Sequence, residues 1–246
     1  MKYLIVIPTY NEIQNIEKLV QSVLKVAPEP DILIVDDNSP DGTGQFADGL
    51  AAKTPRIKVL HREKKLGLGS AYVAGFKYAL SRDYDYVFEM DADFSHNPET
   101  LPAFIEKSLT FDLVIGSRYV NGISVVNWSL KRLLLSIMAS LYVRLILSLP
   151  IRDTTSGFKC FRVAILKAID LEKIKSDGYA FQIEMNYRAY RRGFKIHEMP
   201  IIFIDRHSGT SKMSRHIVME ALLLPWSLRL EYLFNRTGNN GAKGKK

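Results

Sequence analysis

The sequence predicts an α/β fold, a mostly parallel sheet flanked by helices. Three observations carry that expectation. Short apolar runs alternate with helical stripes through the first 116 residues, and polar clusters stand at the carboxyl ends of three of those runs. The composition is ordinary for a globular chain, 47% hydrophobic and 24% charged over 246 residues, enough for one full core.

The elements follow in order. Tyr3–Ile7 reads as a strand, and Ile13, Ile16, Leu19, Val20, Val23 and Leu24 draw a helical stripe behind it. Ile32–Val35 is a buried-type strand ending in Asp36-Asp37, followed by a weaker helix over 44–53 and a strand at Ile57–Leu60. A helix over 70–81 precedes the strand Tyr86–Met90, which ends in Asp91-Ala92-Asp93. Asn97-Pro98 is a helix start, an N-cap followed by proline at the first position, and Leu113–Gly116 is a fifth strand.

Beyond Gly116 the pattern changes. A polar loop, 119–127, leads to an apolar helix over 133–149 whose Ser136, Ser140, Arg144 and Ser148 recur every four residues as a narrow polar stripe. A Gly/Thr/Ser-rich loop at 153–157, a helix at 181–191 and a strand at 201–204 follow. The division expected is a catalytic domain at 1–214, split into halves at 1–116 and 117–214. An amphipathic segment at 215–234, interrupted by Pro225, and a disordered basic tail at 235–246 complete it.

Charge separates the halves. Residues 1–115 hold 12 basic and 17 acidic side chains, net −5, whereas 116–246 hold 22 and 9, net +13. Carboxylates in the first half could hold a metal; cations in the second could meet phosphate, a membrane surface or nucleic acid. No nucleic-acid-binding motif accompanies the charge. The lone Cys160 excludes a disulfide framework, and the five-residue apolar run before Pro8 is too short for a signal peptide, so a cytoplasmic chain is expected. No charge-free apolar stretch reaches the 18 residues of a spanning helix.

In open α/β sheets ligands bind beyond the carboxyl ends of strands. Three such ends are polar here: Pro8-Thr9-Tyr10-Asn11-Glu12, Asp36-Asp37-Asn38-Ser39 and Asp91-Ala92-Asp93. In extended backbone Asp91 and Asp93 face one side and could share one cation, and oxygen ligands suit Mg2+ or Mn2+. Asp83-Tyr84-Asp85 has the same spacing but precedes its strand, so it reads as a solvated turn. Asp36-Asp37 reads either as a loop cap or as a reader of ribose and base edges. Glu12 reads either as a nucleotide contact or as a first-turn carboxylate favoured by the helix dipole. Gly67-Leu68-Gly69 lacks the third glycine of a dinucleotide fingerprint and reads as a helix start that lets backbone approach a nucleotide. His96 lies near the acidic pair and could touch a metal, but reads rather as solvated or capping, and no hydrolase triad order is present. Arg118, Lys131, Arg132, Arg206 and Lys212 would suit two separate phosphates.

These strand-end motifs, with Lys65-Leu66-Gly67-Leu68-Gly69-Ser70-Ala71-Tyr72, resemble the inverting GT-A glycosyltransferases that make polyprenyl-phosphate sugars. Gly116-Ser117-Arg118-Tyr119, Trp128–Arg132, Thr155-Ser156-Gly157-Phe158 and Asp205-Arg206 through Lys212 narrow the resemblance to dolichyl (polyprenyl) phosphate mannosyltransferases, from about residue 3 to 214. The resemblance implies a GT-A, Rossmann-like sheet that transfers mannose from GDP-mannose to dolichyl or polyprenyl phosphate with inversion. It implies work at the cytosolic membrane face. Pro8, Tyr10, Glu12, Val35 and Asp37 would hold guanosine. Asp91, Ala92 and Asp93 would meet diphosphate and metal, with Ser95 a further ligand, where some relatives carry glutamine. Arg206 and Lys212 would close over the diphosphate, and Arg118, Arg132 and Ser136 would receive the acceptor phosphate; Asp91, Asp93, Arg118 and Arg206 form the catalytic set. The 133–149 helix, otherwise readable as a buried core helix, then lies in the membrane interface with Ser136 toward the acceptor. Attachment would come from amphipathic helices, basic residues or a separate membrane-anchoring subunit. Two alternatives remain: the same fold using UDP-glucose or another donor, and a basic peripheral membrane or RNA-binding protein without activity.

Overall fold

A computed structural model describes residues 1–205 and 215–241, with backbone alone at 215–218 and 235–241. The first half follows the expected rhythm: β1 (Tyr3–Thr9), α1 (Ile16–Val26), β2 (Asp31–Asp36), α2 (Thr43–Lys53), β3 (Ile57–His61), α3 (Leu68–Leu80), β4 (Tyr86–Glu89), α4 (Leu101–Ser108) and β5 (Leu113–Ser117). Asn97 caps the short 3-10 turn before α4, its side chain accepting from the Glu99 amide at 3.0 Å with Pro98 next in line. The second half adds β6 (Val125–Val126), α5 (Leu130–Leu147), β7 (Lys159–Arg162), α6 (Val163–Ala168), α7 (Gly178–Arg191), β8 (Ile196–Pro200), β9 (Phe203–Ile204) and α8 (Arg215–Gly241).

Seven strands form one sheet in the order β3-β2-β1-β4-β7-β5-β8, and β6 pairs with β9 in a small parallel ribbon. All neighbours in the large sheet run parallel except β7, which is antiparallel to both β4 and β5. The side-chain alternation of β1 explains why a nearly continuous apolar run is needed. Leu4 and Val6 enter the core shared with α3 and α7, while Ile5 and Ile7 enter the one shared with α1 and α4. Helix α3 lies so close to β1 that a Cβ on Gly75 would sit 2.4 Å from Val6 Cγ1.

Three sequence expectations need correction, and one strand was not expected at all. The strand expected at 201–204 is confined to β9, Phe203–Ile204, in the small ribbon, and the neighbouring large-sheet strand β8 ends before it at Pro200. Strand β7 carries no apolar run because it places Lys159 in the sheet interior opposite Glu89, both fully buried. Helix α8 runs through Pro225 rather than breaking there, at the cost of one backbone hydrogen bond. It also continues to Gly241, so 235–241 is helical instead of tail; extending a formed helix fixes one residue per new bond. Residues 242–246 of the expected tail lie outside the described residues.

On α5 the polar stripe faces the protein, with Ser140 and Val143 buried, and the apolar side faces out through Leu134, Met138, Leu141 and Leu145. Helix α8 presents Leu223, Trp226, Leu230 and Phe234 in the same way. The two helices are joined at Tyr142, whose hydroxyl donates to Leu222 O at 2.7 Å and accepts from Trp226 Nε1 at 3.0 Å. Among the described residues no helix is long and apolar enough to cross a membrane.

Candidate active site

Three cavities run end to end along the carboxyl edge of the sheet. The first, about 290 Å3, is walled by Pro8, Thr9, Tyr10, Glu12, Asp37, Lys65, Gly67, Leu68 and Ala71, and closed by Asp91, Ala92 and Asp93. The second, about 190 Å3, shares Leu68, Asp91 and Asp93 with the first and adds Ser95, His96, Thr155, Gln182 and Asp205. The third, about 330 Å3, lies between α5 and α8, is lined mainly by Leu135, Met138, Ala139, Tyr142 and Val143, and shares Arg118, Trp128 and Arg132 with the second. Carboxylates therefore mark one junction and guanidinium groups the other.

In the first cavity Lys65 Nζ lies 3.9 Å from the centre of the Tyr10 ring. The two aspartates ending β2 divide the readings left open by the sequence. Asp36 is a loop anchor, accepting from Thr9 Oγ1 at 2.9 Å, Ser39 Oγ at 2.6 Å and the Ser39 amide at 3.0 Å. Asp37 instead lines the cavity, where burial raises its carboxyl pKa and Arg62, at 3.2 Å, pulls it back. Val35 is not on the wall; it is fully buried in the core and paired with Pro8. The Gly67 turn adopts φ +99°, and a Cβ there would strike the Asp177 carboxylate at 2.3 Å. That carboxylate accepts from the Gly69 amide at 2.6 Å, so a protein group takes up this helix start while Gly67 and Leu68 line the cavity.

The Asp91 carboxylate is positioned by side chains from other elements. Tyr72 of α3, fully buried between Phe76 and Phe181, donates to Asp91 Oδ1 at 2.9 Å. His96 is buried rather than solvated, stacked on Phe158 with ring centres 4.8 Å apart. Burial holds its pKa below the usual value, and its Nδ1 accepts from the Asp91 amide at 3.0 Å. The proton of the neutral ring therefore sits on Nε2, 3.9 Å from Asp91 Oδ2. Asp93 Oδ1 accepts from the Ser95 amide at 3.0 Å across a turn in which Phe94 takes φ +63°, and Ser95 Oγ is buried with no hydrogen-bond partner among the described residues. Asp85 lies exposed at the amino end of β4, bonded to the Lys2 amide at 2.8 Å, away from this site.

At the other junction Arg118 is buried. Its Nε and Nη2 donate to the two oxygens of Asp153 at 2.7 and 2.6 Å, and Nη2 also donates to Thr155 Oγ1 at 2.8 Å. Burial opposes its charge, but Asp153 more than offsets this and holds the guanidinium pKa above its usual range. Its Nη1 makes no hydrogen bond among the described residues. Arg132 stacks on Trp128 at 4.2 Å and pairs with Asp205, and Ser136 accepts from the Tyr119 hydroxyl at 2.7 Å. Arg206 and Lys212 lie outside the described residues; Asp205, next in the chain to Arg206, lines the second cavity.

The sequence reading gave no role to Tyr72, Asp153, Lys65 or Gln182, although the first three lie in or beside its motifs. Nothing in a single sequence pairs Tyr72 with Asp91 or Arg118 with Asp153, 35 residues away.

A doubly wound sheet with a nucleotide-sized cavity, a carboxylate pair at its edge and two arginines at the mouth of an apolar cavity beyond defines a glycosyltransferase of GT-A architecture. More particularly, the chain belongs to glycosyl transferase family 2, whose model matches residues 4–170. It is 50% identical over 223 residues to the undecaprenyl-phosphate mannosyltransferase of Micrococcus luteus, covering 91% of this chain and 92% of that protein. It is 46% identical over 230 residues to the polyprenol monophosphomannose synthase of Mycolicibacterium smegmatis, covering 92% and 87%. Among solved structures, glucosyl-3-phosphoglycerate synthase from Mycobacterium tuberculosis, in complex with Mn2+, UDP-glucose and phosphoglyceric acid, shares the fold. Its TM-score is 0.67 at 18% identity, over 91% of this chain and 79% of that one.

Proposed function

We propose that the protein transfers mannose from GDP-mannose to a polyprenyl phosphate with inversion at the anomeric carbon. The observation that carries the proposal is the continuity of the three cavities, with carboxylates between the first and second and arginines between the second and third. Nucleotide, sugar with diphosphate, and lipid phosphate with its chain map onto them in that order. The mannosyl activity named for both relatives fits the same assignment.

The first cavity fits a guanine nucleotide. Guanine presents N1–H and an exocyclic amine side by side, donors that one carboxylate such as Asp37 or Glu12 accepts together, while Lys65 and Tyr10 offer a cation and a ring face. Asp91 and Asp93 supply hard oxygen ligands for Mg2+ or Mn2+, and the orphaned Ser95 Oγ is a further donor to that position. Among the described residues no group of three or more His, Cys, Asp or Glu is arranged as a metal site. A cation held by two carboxylates and substrate phosphates, as Mg2+ commonly is, matches that set. Bound there, the metal neutralises charge that grows on the departing diphosphate.

The chain's own residues complete the chemistry. Arg118 and Arg132 draw the acceptor phosphate to the edge of the second cavity, with Ser136 beside it. A phosphate oxygen attacks the anomeric carbon as the bond to the GDP oxygen breaks, and GDP departs. The attacking group is already an anion, so no strong base is required. Arg206 and Lys212, whose segment follows Asp205 in the chain, are assigned to the diphosphate on the family resemblance, and Asp205 itself lines the second cavity. The outward apolar faces of α5 and α8 enter the membrane interface and lead the lipid chain into the third cavity.

Incubating the purified protein with GDP-mannose, UDP-glucose, Mn2+ and a short polyprenyl phosphate tests this. Lipid-linked mannose is expected; glucose alone would reassign the donor, and no lipid-linked sugar would refute the enzyme reading. Asp93→Ala should abolish the metal-dependent reaction and Asp85→Ala leave it near normal.

A further inference from the structure

We propose a second, separate anion site between α7 and α8 that takes a phosphate group. A cavity of about 120 Å3 lies there, lined by Tyr187, Arg188, Arg191, Arg192, Glu231 and Tyr232 among others. Arg191 in its wall stands nine residues along α7 from Gln182 of the second cavity, on the order of 13 Å at the helical rise.

Its chemistry is unbalanced: among the described residues Glu231 is the one carboxylate in its wall, against Arg188, Arg191 and Arg192. The Tyr187 hydroxyl is buried and makes no hydrogen bond among the described residues, on a side chain only 3% exposed. Arg191 Nε is buried and equally without a partner; the guanidinium is stacked 3.2 Å from the centre of the Tyr232 ring, with the Tyr187 ring at 5.8 Å. Stacking satisfies the faces of a guanidinium and leaves its N–H edge for an acceptor. Buried donors left without an acceptor are destabilising, so a site of this kind needs something to accept from it.

The neighbouring charges favour an anion. Arg188 is tied to Glu184 by Nε at 2.8 Å and only loosely to Glu231 at 3.4 Å, and Arg192 donates to the Ala168 and Arg188 carbonyls. Placing arginines in the last turn of α7 also complements the helix dipole, which accounts for their presence but supplies no acceptor to Tyr187 or Arg191. Three guanidinium groups outnumber the two carboxylates, Glu184 and Glu231, and a tetrahedral oxyanion accepts from a phenol and a guanidinium edge together. The phosphate belongs either to a lipid headgroup at the surface met by α8 or to a free phosphate compound.

The test compares the full chain with Arg191→Gln, Tyr187→Phe and Glu231→Gln. Inorganic phosphate is titrated while the thermal midpoint is followed, and sedimentation is measured with phosphatidylglycerol and phosphatidylcholine vesicles. Half-saturation by phosphate should rise about tenfold in Arg191→Gln, rise in the same direction in Tyr187→Phe, and fall in Glu231→Gln, which removes a repelling charge. If the preference for phosphatidylglycerol disappears in the first two variants, the site serves a lipid headgroup; if only the phosphate titrations separate, it serves a free phosphate. Tyr187→Phe keeps the packing, so a folding defect in Arg191→Gln leaves the test intact. Four proteins alike in both measurements overturn the site.

Discussion

Replacing Tyr72 by Phe removes one hydroxyl and one hydrogen bond, the 2.9 Å bond to Asp91 Oδ1, while the ring keeps its places beside Phe76 and Phe181. Burial first, and then Asp91, pushes the phenol pKa well above its usual value, so the hydroxyl is a donor at any working pH. A hydrogen bond to a charged group contributes about 1.5–3 kcal/mol. If that bond serves to hold Asp91 toward the cation, its loss weakens metal affinity by about ten- to a hundredfold, at 1.4 kcal/mol per decade. The assay is the Mn2+ concentration for half-maximal mannosyl transfer, paired with direct Mn2+ binding and the thermal midpoint. Half-saturation should move up by that factor, with activity largely restored at high Mn2+ and the midpoint little changed. A variant with wild-type Mn2+ dependence, or one whose activity falls equally at all Mn2+ concentrations, refutes the reasoning. Asp91→Asn, run alongside, must itself weaken the metal response for the comparison to bear on Tyr72.

Other outcomes follow from single contacts. Asp153→Asn leaves the buried Arg118 charge uncompensated and should cost about 3 kcal/mol or more in urea unfolding, as breaking a buried pair does. Gly75→Ala presses a methyl into Val6 and should cost about 1–3 kcal/mol, visible as a lowered midpoint, with Gly49→Ala, where nothing lies within 4 Å, as the harmless control. Leu145→Asp with Leu223→Asp, 72% and 62% exposed, should leave folding unchanged but release the protein from vesicles. Unchanged sedimentation would remove α5 and α8 from the membrane interface.

The first half of the fold was legible because β1, β2, β4 and β5 are buried on both faces and the covering helices mainly on one, so the periodicity is written in the residues. That signal failed at β7: Lys159 and Cys160 do not read as a sheet interior, and the lysine is held there by Gln182, whose carbonyl accepts from Nζ at 3.1 Å, together with the charge of the facing Glu89. Burial drives both groups toward neutrality, Glu89 up to about 7 and Lys159 down to about 8, each held back by the other's charge. The site was legible to a similar depth. Asp37, Asp91, Asp93, Arg118 and Arg132 all line the chain of cavities, whereas Val35, expected at the nucleotide, is core.

The sequence by itself determined the βαβ rhythm, the acidic strand ends and the family, because these reside in local order and composition. Tertiary structure alone decided the antiparallel insertion of β7, the side chains that hold Asp91 and Arg118, and which face of α5 is outward. Those depend on partners far apart in the chain, whose pairing is fixed by packing and by the need to satisfy buried charge, not by any spacing along the sequence.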